Sequence, residues 1–243
     1  MGGAREKRKM GLHSLLLLLI SIRSAPAALA APPPPPTFPK QFTCTVEVTA
    51  HLVDRTKDYP PWLRVIDVKY DFVNQRASAA VRKGYEEGKM FLRRYDNKSE
   101  FMVRGDPYPE CVRSYLGEKM PAPDLPASAV HVGTEDIDGV ACDHWVDDLG
   151  TNRIHIYMAP SPANKGNERV PRRLTDEQVL DGESVPLMTY DWKDLVVGPI
   201  ADNNGAAATQ TWFDIPQPYD WRSCSRYLGG FPYLHIFHHY LRF

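Results

Sequence analysis

The chain has 243 residues with 29 basic and 30 acidic side chains, a formal net charge of −1, and 43% hydrophobic residues. This near balance argues against nucleic acid and strongly anionic membranes as partners, because both are recognised by clustered Lys and Arg. The length and the apolar fraction predict a single folded domain with a substantial core.

The first 30 residues predict a cleaved secretory signal peptide. Basic residues at 5–9 precede an apolar run at 10–22, and Ala28-Leu29-Ala30 forms a small-residue cleavage site. The apolar run is shorter than the ~20 residues that a membrane-spanning helix needs, and no later segment is predicted to span. Cleavage changes the formal net charge to −5, since residues 1–30 carry five basic side chains and one acidic. The proline run that follows predicts an extended linker over 31–40.

Four cysteines, Cys44, Cys111, Cys142 and Cys224, follow the signal peptide. An even number of cysteines in a secreted chain predicts two disulfides, and without a CxxC pair the sequence gives no support to a zinc ribbon or a thioredoxin-like site. Three connectivities are open, of which Cys111–Cys142 with Cys44–Cys224 is favoured. Asn97-Lys98-Ser99 is the one N-x-S/T sequon, in a polar turn, so glycosylation is expected at Asn97.

Apolar and polar residues alternate in most segments from residue 41 onward. "FTCTVEVTAHLV" predicts a first strand and "LRVIDVKYDF" a second, followed by a short strand at "ASAAV" and a hairpin around "NKS". "AVHVGTEDI" and "VACDHWVDD" flank Asp138-Gly139, which favours a type I′ turn, and "NRIHIYM" and "PLMTYDWKDLVVG" predict further strands. The pattern predicts one mainly β domain over 41–243, an antiparallel meander typical of a barrel, half-barrel or sandwich.

Two segments interrupt this pattern. "CVRSYLGEK" is predicted to hold a helical turn before a proline-rich stretch. Residues 159–183 are polar, and they predict a mobile insertion in which only "RRLTDEQVL" has helical character. One or two short helices are therefore expected.

No motif of a known enzyme class is present, so an enzyme is not favoured and no cofactor is predicted. The acidic cluster Glu135, Asp136 and Asp138 lacks the loop spacing of a calcium site. If catalysis occurs, the candidate acid/base residues are Glu135, Asp147, His144 and His235, with Asp148 as an alternative carboxylate. The C-terminal "PYLHIFHHYLRF" predicts a closing strand whose His235 and His239 are ~13 Å apart, too far for one metal ion.

Several segments carry a resemblance to a known family: "FPKQF", "VEVTAHLVDRTKDYPPWLR", "RRYD", "YPEC", "SYLGE", "VGTEDIDGVACDHWV" and "GGFPYLHIFHHYLR". Together they resemble a family of small secreted plant proteins, some of which are labelled glycosyltransferase-like. The resemblance covers roughly 38–160 and 185–243, and it implies no catalytic residue. "YDW" at 190–192 is not a D-x-D metal motif, so the chain shows no nucleotide-sugar site.

More remotely, the layout is similar to the ependymin-related and LolA/LolB-like lipoprotein-carrier superfamily. The similarity rests on the meander, the hairpin "RRYDNKSEF", the cysteine at 111 that follows it, and the late "FDIPQPYDWRSC". It implies a LolA-like half-open antiparallel barrel with a hydrophobic cavity and a small helical lid.

Together these features predict a secreted, disulfide-stabilised protein that binds a lipid or another apolar small molecule. The expected compartment is extracellular, with the vacuole or the ER lumen as alternatives. A carbohydrate-active enzyme and an extracellular interaction module without a pocket are the alternative functions; the oligomeric state is left open. Aromatic residues on the strands, joined by one histidine, are predicted to line the ligand pocket: Trp62, Tyr70, Phe72, Trp145, Tyr190, Trp192 and His235.

Overall fold

A computed structural model describes residues 34–163, 166–201 and 211–229. The predicted signal peptide at 1–30 and the C-terminal stretch 230–243, with His235, lie outside the described residues. The described residues form twelve strands: β1 (Gln41–Ala50), β2 (Leu63–Asp71), β3 (Arg76–Lys83), β4 (Lys89–Arg94), β5 (Ser99–Arg104), β6 (Glu110–Tyr115), β7 (Val130–Ile137), β8 (Val140–Asp148), β9 (Asn152–Pro160), β10 (Arg169–Leu180), β11 (Glu183–Val197) and β12 (Ser225–Arg226).

All twelve strands belong to one sheet in the order β12-β6-β5-β4-β3-β2-β1-β11-β10-β9-β8-β7. Every pair is antiparallel except β12 with β6, and the two edge strands, β12 and β7, are not paired with each other. The prediction of a mainly β, half-open antiparallel meander is therefore confirmed. The expected short helices are not found in the described ranges.

The chain starts in the middle of this sheet, builds one half outward, and then crosses to the far edge to build the other half. β1 pairs with β2 on one side and with β11 on the other. β2 to β6 lead to one edge, and β7 to β11 return from the opposite edge. Residues 116–129, here called the strap, connect β6 to β7 and therefore join the two edge regions of the sheet.

Local sequence determines the strand register as predicted. In β1, Phe42, Cys44, Val46 and Val48 are buried, and the residues between them are half-buried. This alternation places one apolar face toward the core, as expected for period-two patterning. We call this side the inner face and the opposite side the outer face.

The turn between β7 and β8 is also as predicted. Asp138 and Gly139 both have positive φ, 53° and 79°. This is the backbone of a type I′ hairpin, which glycine and aspartate tolerate better than other residues.

Two local predictions are corrected. The segment "CVRSYLGEK" is not helical, because Glu110–Tyr115 pairs with β5 as strand β6. Most of the predicted insertion is also regular, since Arg169–Leu180 forms β10 between β9 and β11. In both cases ladder pairing with neighbouring strands overrides a weak local preference.

Part of the predicted linker packs against the sheet domain. Phe38 is buried in the inner-face cluster, and Thr37 forms an isolated parallel bridge with Glu168.

Cys111 forms a disulfide with Cys224, with the two Cα atoms 4.6 Å apart. The favoured pairing of Cys111 with Cys142 and of Cys44 with Cys224 is therefore wrong. Cys44 and Cys142 are free and buried. Cys44 packs in the inner-face cluster, whereas Cys142 packs in a separate cluster on the outer face, so the sheet separates them.

Candidate functional site

The inner face carries the largest apolar cluster of the described residues. Four of the predicted pocket residues, Tyr70, Trp145, Tyr190 and Trp192, are buried in it, and Phe72 packs against it. The structure therefore brings five of the seven predicted residues together. They are side chains of the core in this structure, since the strap covers the face.

Trp62 lies elsewhere, in the loop between β1 and β2. It lines a separate open pocket of about 720 Å³ beside the turn between β3 and β4. The Arg55 guanidinium is 5.1 Å from the Trp62 ring centre. Trp62 is thus not part of the inner-face site.

The strap covers the inner face through a few apolar side chains and two polar anchors. Met120 is buried in the inner-face cluster, and Leu125 and Ala129 pack against it. The Tyr70 hydroxyl donates to the Pro121 carbonyl at 2.7 Å. Residues 117–129 take part in no β-ladder. Beyond the Leu116 N–H, which donates to the Lys98 carbonyl at 2.9 Å, the strap is therefore held by side chains rather than by strand pairing.

The second anchor is an ion pair with a buried arginine of β4. Arg93 Nη1 donates to Glu118 Oε1 at 2.8 Å, and Arg93 Nε lies 3.3 Å from Glu100 Oε2. Arg93 and Glu100 are paired across β4 and β5 on the inner face, opposite Ala77 of β3. A charged pair is therefore buried at one end of a largely apolar surface.

At the other end of the inner face, three buried polar atoms have no hydrogen-bond partner in the described part of the chain. They are Trp145 Nε1, Asp147 Oδ1 and His131 Nε2. Trp145 and Asp147 are two residues apart on the same face of β8, and His131 lies opposite Trp145 with ring centres 5.1 Å apart. Buried polar atoms are almost always satisfied, so these three atoms are open to a further partner beyond the described residues.

The outer face of the other half carries a chain of four ionisable side chains, here called the relay. His144 Nδ1 lies 2.6 Å from Glu135 Oε1, and His144 Nε2 lies 2.9 Å from His155 Nδ1. His155 Nε2 in turn lies 3.4 Å from Glu177 Oε2, so the relay crosses β7, β8, β9 and β10. Tyr157 stacks on His144 with ring centres 4.4 Å apart.

Burial lowers the pKa of His144, and this effect outweighs the opposing attraction of Glu135. The folded state therefore favours neutral His144, whose Nδ1–H donates to Glu135 while Nε2 accepts from His155. Because the pKa is lower in the folded state than in the unfolded state, the contribution of His144 to stability is present above about pH 6.5 and is lost as the pH falls below that value.

We expect the free energy of unfolding to fall between pH 7 and pH 5, and this fall to be smaller in His144→Gln. Urea unfolding at several pH values measures it. The glutamine keeps a polar side chain at this position but does not titrate. If the free energy of unfolding falls equally between pH 7 and pH 5 in the variant and in the native protein, the assignment of this pH dependence to His144 is wrong.

The other candidate acid/base residues are not brought together. Asp147 is on the inner face and Glu135 on the outer face, so the two carboxylates cannot flank one glycosidic bond. Asp148 accepts from the Gly150 backbone and pairs with Arg153 at 3.0 Å.

The acidic cluster around the β7–β8 turn is also engaged internally. Asp136 accepts from the Gly139 backbone at 2.8 Å, and Asp138 lies 3.4 Å from Arg173. Within the described ranges, no group of three or more His, Cys, Asp or Glu residues is arranged to hold a metal ion.

The free cysteines have the character of core residues. Burial raises the pKa of both the Cys44 and the Cys142 thiol, so both stay protonated at neutral pH. Asn97 is exposed in the turn between β4 and β5, a position accessible to modification. Its glycosylation stays a prediction.

Sequence reasoning missed the strap anchors Glu118 and Pro121 and the relay members His155 and Glu177. The sequence did hold a signal for His155, since this histidine lies in the alternating segment "NRIHIYM", which is predicted to be a strand. The strap anchors had no such signal, because the partner of Glu118 is 25 residues away in the chain and the partner of Pro121 is 51 residues away.

The fold and these contacts define a disulfide-bonded β-sheet domain with a strap across its apolar inner face. In comparisons with known proteins, residues 37–157 match the family model described as a domain of unknown function (DUF8395). No curated protein matches the chain. No helix in the described ranges has the length and apolar character to cross a membrane.

Solved structures give distant similarities. An uncharacterized conserved protein from Thermus thermophilus matches with 12% identity and a TM-score of 0.46, over 67% of this chain and 82% of that chain. Two crystal forms of PNGF-II match with 8% identity and TM-scores of 0.33 and 0.35, over 67% of this chain. This chain covers only 28% and 29% of PNGF-II.

At such identities and TM-scores these neighbours carry no functional argument. None of the matches named here links the chain to the plant family or to the ependymin-related and LolA/LolB-like superfamily.

Proposed function

We propose that the domain is a secreted binding protein that holds an apolar molecule with one polar end against its inner face. The observation that carries the proposal is an apolar sheet face covered by a segment that is not part of the sheet. The Cys111–Cys224 disulfide is compatible with the oxidising extracellular compartment that we propose, with the vacuole or ER lumen as alternatives.

The strap is the part of the domain that a ligand displaces. Its contacts with the sheet include the Tyr70–Pro121 hydrogen bond, the Arg93–Glu118 ion pair and the packing of Met120, Leu125 and Ala129. Segments without ladder pairing open at lower free energy than the strands they cover. An apolar ligand replaces the packing of these strap side chains with its own.

The polar end of the ligand would lie beside Asp147, Trp145 and His131. The unpartnered Asp147 oxygen accepts a hydrogen bond, and the unpartnered Trp145 N–H donates one. A hydroxyl group satisfies both, whereas a ligand carboxylate is repelled by Asp147. The proposed ligand class is therefore a long-chain alcohol or a similar hydroxyl-bearing amphiphile.

Competition with N-phenyl-1-naphthylamine, a polarity-sensitive fluorophore, tests this specificity. Tetradecanol is expected to displace the fluorophore at lower concentration than myristate, and Asp147→Asn is expected to reduce the difference. Equal displacement by the two ligands in the native protein would contradict the placement of the polar end at Asp147. Displacement by neither ligand would contradict the binding function itself.

Tyr70→Phe is expected to destabilise the domain by about 1 kcal/mol and yet to tighten probe binding about fivefold. Loss of one hydrogen bond accounts for the first effect. The tighter binding follows because the hydrogen bond that holds the strap over the inner face is gone, so less free energy is needed to expose that face to the ligand. Urea unfolding and fluorescence titration measure the two effects.

Tyr190→Phe is the matched control, because Tyr190 is a buried tyrosine of the same face. It is expected to leave the affinity nearly unchanged. Weaker binding by Tyr70→Phe, in parallel with its lower stability, would show that the strap does not move aside for the ligand.

The alternative of a carbohydrate-active enzyme is favoured by the 2.6 Å contact between Glu135 and His144. A screen on cell-wall glycans, repeated with His144→Gln, tests it; activity that disappears in the variant would establish catalysis at the relay.

The remaining alternative, an interaction module without a pocket, is favoured by the filled inner face, and it gains support if neither the ligand test nor the screen gives a signal.

A further inference from the structure

A second open site lies on the outer face, far along the sheet from the relay. It is a groove of about 650 Å³ between β4–β6 and the segment 211–229. Phe101 of β5 and Ile215 of the segment form its apolar floor. The volume is in the range of small-molecule sites, which is about 300–1,000 Å³.

The segment 211–229 is fixed to the sheet at this place by several contacts. The Cys111–Cys224 disulfide joins it to β6, and β12 pairs with β6 in parallel. The Ser114 hydroxyl donates to the Gly229 carbonyl at 2.6 Å. The groove is therefore a built feature with walls from two parts of the chain.

The groove is lined by four cationic side chains and one carboxylate. Arg94 is engaged, since it pairs with Asp96 at 2.8 Å and with Asp214 at 3.2 Å. Lys98, Arg113 and Arg226 form no ion pair within the described ranges. The groove thus has an excess of positive charge in a chain whose formal net charge is −1.

Arg113 is the most strongly positioned of these cations. Its guanidinium carbon lies 5.0 Å from the centre of the Trp221 ring, and its buried Nε has no hydrogen-bond partner in the described chain. A stacked guanidinium is held in one plane, so its N–H groups are oriented for a planar, two-oxygen anion.

Exposed aromatic rings lie beside these cations. Tyr115 and Trp221 line the groove with 69% and 51% of their surfaces exposed. An exposed ring offers a flat apolar face with negative electrostatic potential. The C–H face of a sugar ring is complementary to such a surface, whereas a simple inorganic anion gains nothing from it.

We propose that this groove binds an acidic sugar, with its anionic group on Arg113 and its ring against Tyr115. The site is independent of the inner face and of the ligand proposed there. A single-stranded nucleic acid combines negative charge with stacking as well. It needs a longer basic track than three cations in one groove, so the acidic sugar fits better.

Isothermal titration calorimetry of the full secreted chain tests the proposal. The probes are a trisaccharide of galacturonic acid, the neutral trisaccharide of galactose, a sulfated trisaccharide of galactose that carries no carboxylate, and an oligothymidylate. We expect an acidic sugar to bind and the neutral one to bind at least about tenfold more weakly, since charged hydrogen bonds are lost. The tighter of the uronate and sulfate probes identifies the anionic group.

Two variants and one matched control locate the site. Arg113→Gln and Arg226→Gln are each expected to weaken the acidic probe, Arg113→Gln by about 10- to 100-fold. Arg222→Gln is the control, because Arg222 also stacks on Trp221, at 5.4 Å, but does not line the groove. It is expected to leave affinity unchanged.

Three results would overturn the proposal. They are equal binding of the neutral sugar, an effect of Arg222→Gln as large as that of Arg113→Gln, and tighter binding of the oligothymidylate than of either acidic sugar. Because Arg226 is exposed, Arg226→Gln keeps the test decisive even if Arg113→Gln impairs folding.

Discussion

Removal of the Cys111–Cys224 disulfide is expected to destabilise the domain by about 2–5 kcal/mol, the usual cost of losing a native disulfide in a secreted domain. The bond closes a long loop, since its cysteines are 113 residues apart, and a long loop loses much entropy on closure. The variant for this experiment is Cys111→Ala/Cys224→Ala, which leaves no unpaired partner thiol. Urea unfolding of the variant and of the native protein, each with and without dithiothreitol, measures the change.

The free cysteines supply the controls. Cys44→Ala and Cys142→Ala are each expected to cost only about 0.5–1.5 kcal/mol, as for other deletions of one buried heavy atom. Dithiothreitol is expected to destabilise the native protein and both single variants, but not the double variant. A large loss of stability in Cys44→Ala or Cys142→Ala that reductant abolishes would show a different pairing.

The disulfide also links stability to the proposed acidic-sugar groove. Cys111, Cys224, Leu92, Phe101 and Val103 form one small cluster, separate from the inner-face core. The segment 211–229 also joins the sheet through the two-residue strand β12, the Arg94–Asp214 ion pair and the Ser114–Gly229 hydrogen bond, none of which is covalent. Loss of the bond is therefore expected to affect this half of the outer face more than the strap or the relay.

Short-range patterning explains why most strands were predictable. The alternation around Val46 and that around Val68 each lie within about ten residues, and one apolar face determines their register. The Asp138-Gly139 turn is likewise a local signal. β10 was missed because its polar residues are half-buried between two neighbouring strands, a setting that composition does not reveal.

The disulfide and the candidate sites depend on contacts that no local pattern encodes. Cys111 meets Cys224 because the segment 211–229 folds back on β6, and nothing near either cysteine predicts that path. The relay shows both cases. Glu135 and His144 were each candidate acid/base residues and the β7–β8 hairpin joins them, whereas Glu177 becomes their neighbour only through the order of β7 to β10.

The strap was partly predictable. Its prolines indicated a break in regular structure, but not that the segment would cross the inner face. That path follows from topology, since β6 and β7 lie at opposite ends of the strand order. The strap has 14 residues, so it spans at most about 50 Å when fully extended.

Replacement of Arg93 is expected to be the most damaging single change on the inner face. Arg93 and Glu100 are buried, with 6% and 2% of their surfaces exposed, and the arginine also holds Glu118 of the strap. Arg93→Met keeps the length and packing of the side chain but leaves the Glu100 carboxylate buried without its cation. Breaking a buried pair in this way costs about 3–5 kcal/mol, measured by urea unfolding.

The matched variants separate the lost charge pair from lost packing. Arg93→Met/Glu100→Met is expected to recover most of the stability, since removal of both partners leaves no uncompensated charge. Glu118→Gln is expected to cost at most about 1 kcal/mol, because its side chain is partly exposed. If the double variant is as unstable as Arg93→Met, lost packing rather than an unpaired charge is the cause.

Glu118→Gln also connects this ion pair to the proposed binding function. It loosens the first half of the strap while Arg93 and Glu100 stay paired, so it is expected to tighten probe binding as Tyr70→Phe does at the nearby Pro121 anchor. Glu118 and Pro121 are three residues apart in the strap, so the two anchors are coupled and the double variant is expected to tighten binding by less than the sum of the two separate effects. Tightening that is less than additive would mean that a ligand releases both anchors together; additive tightening would mean that the two anchors are released independently.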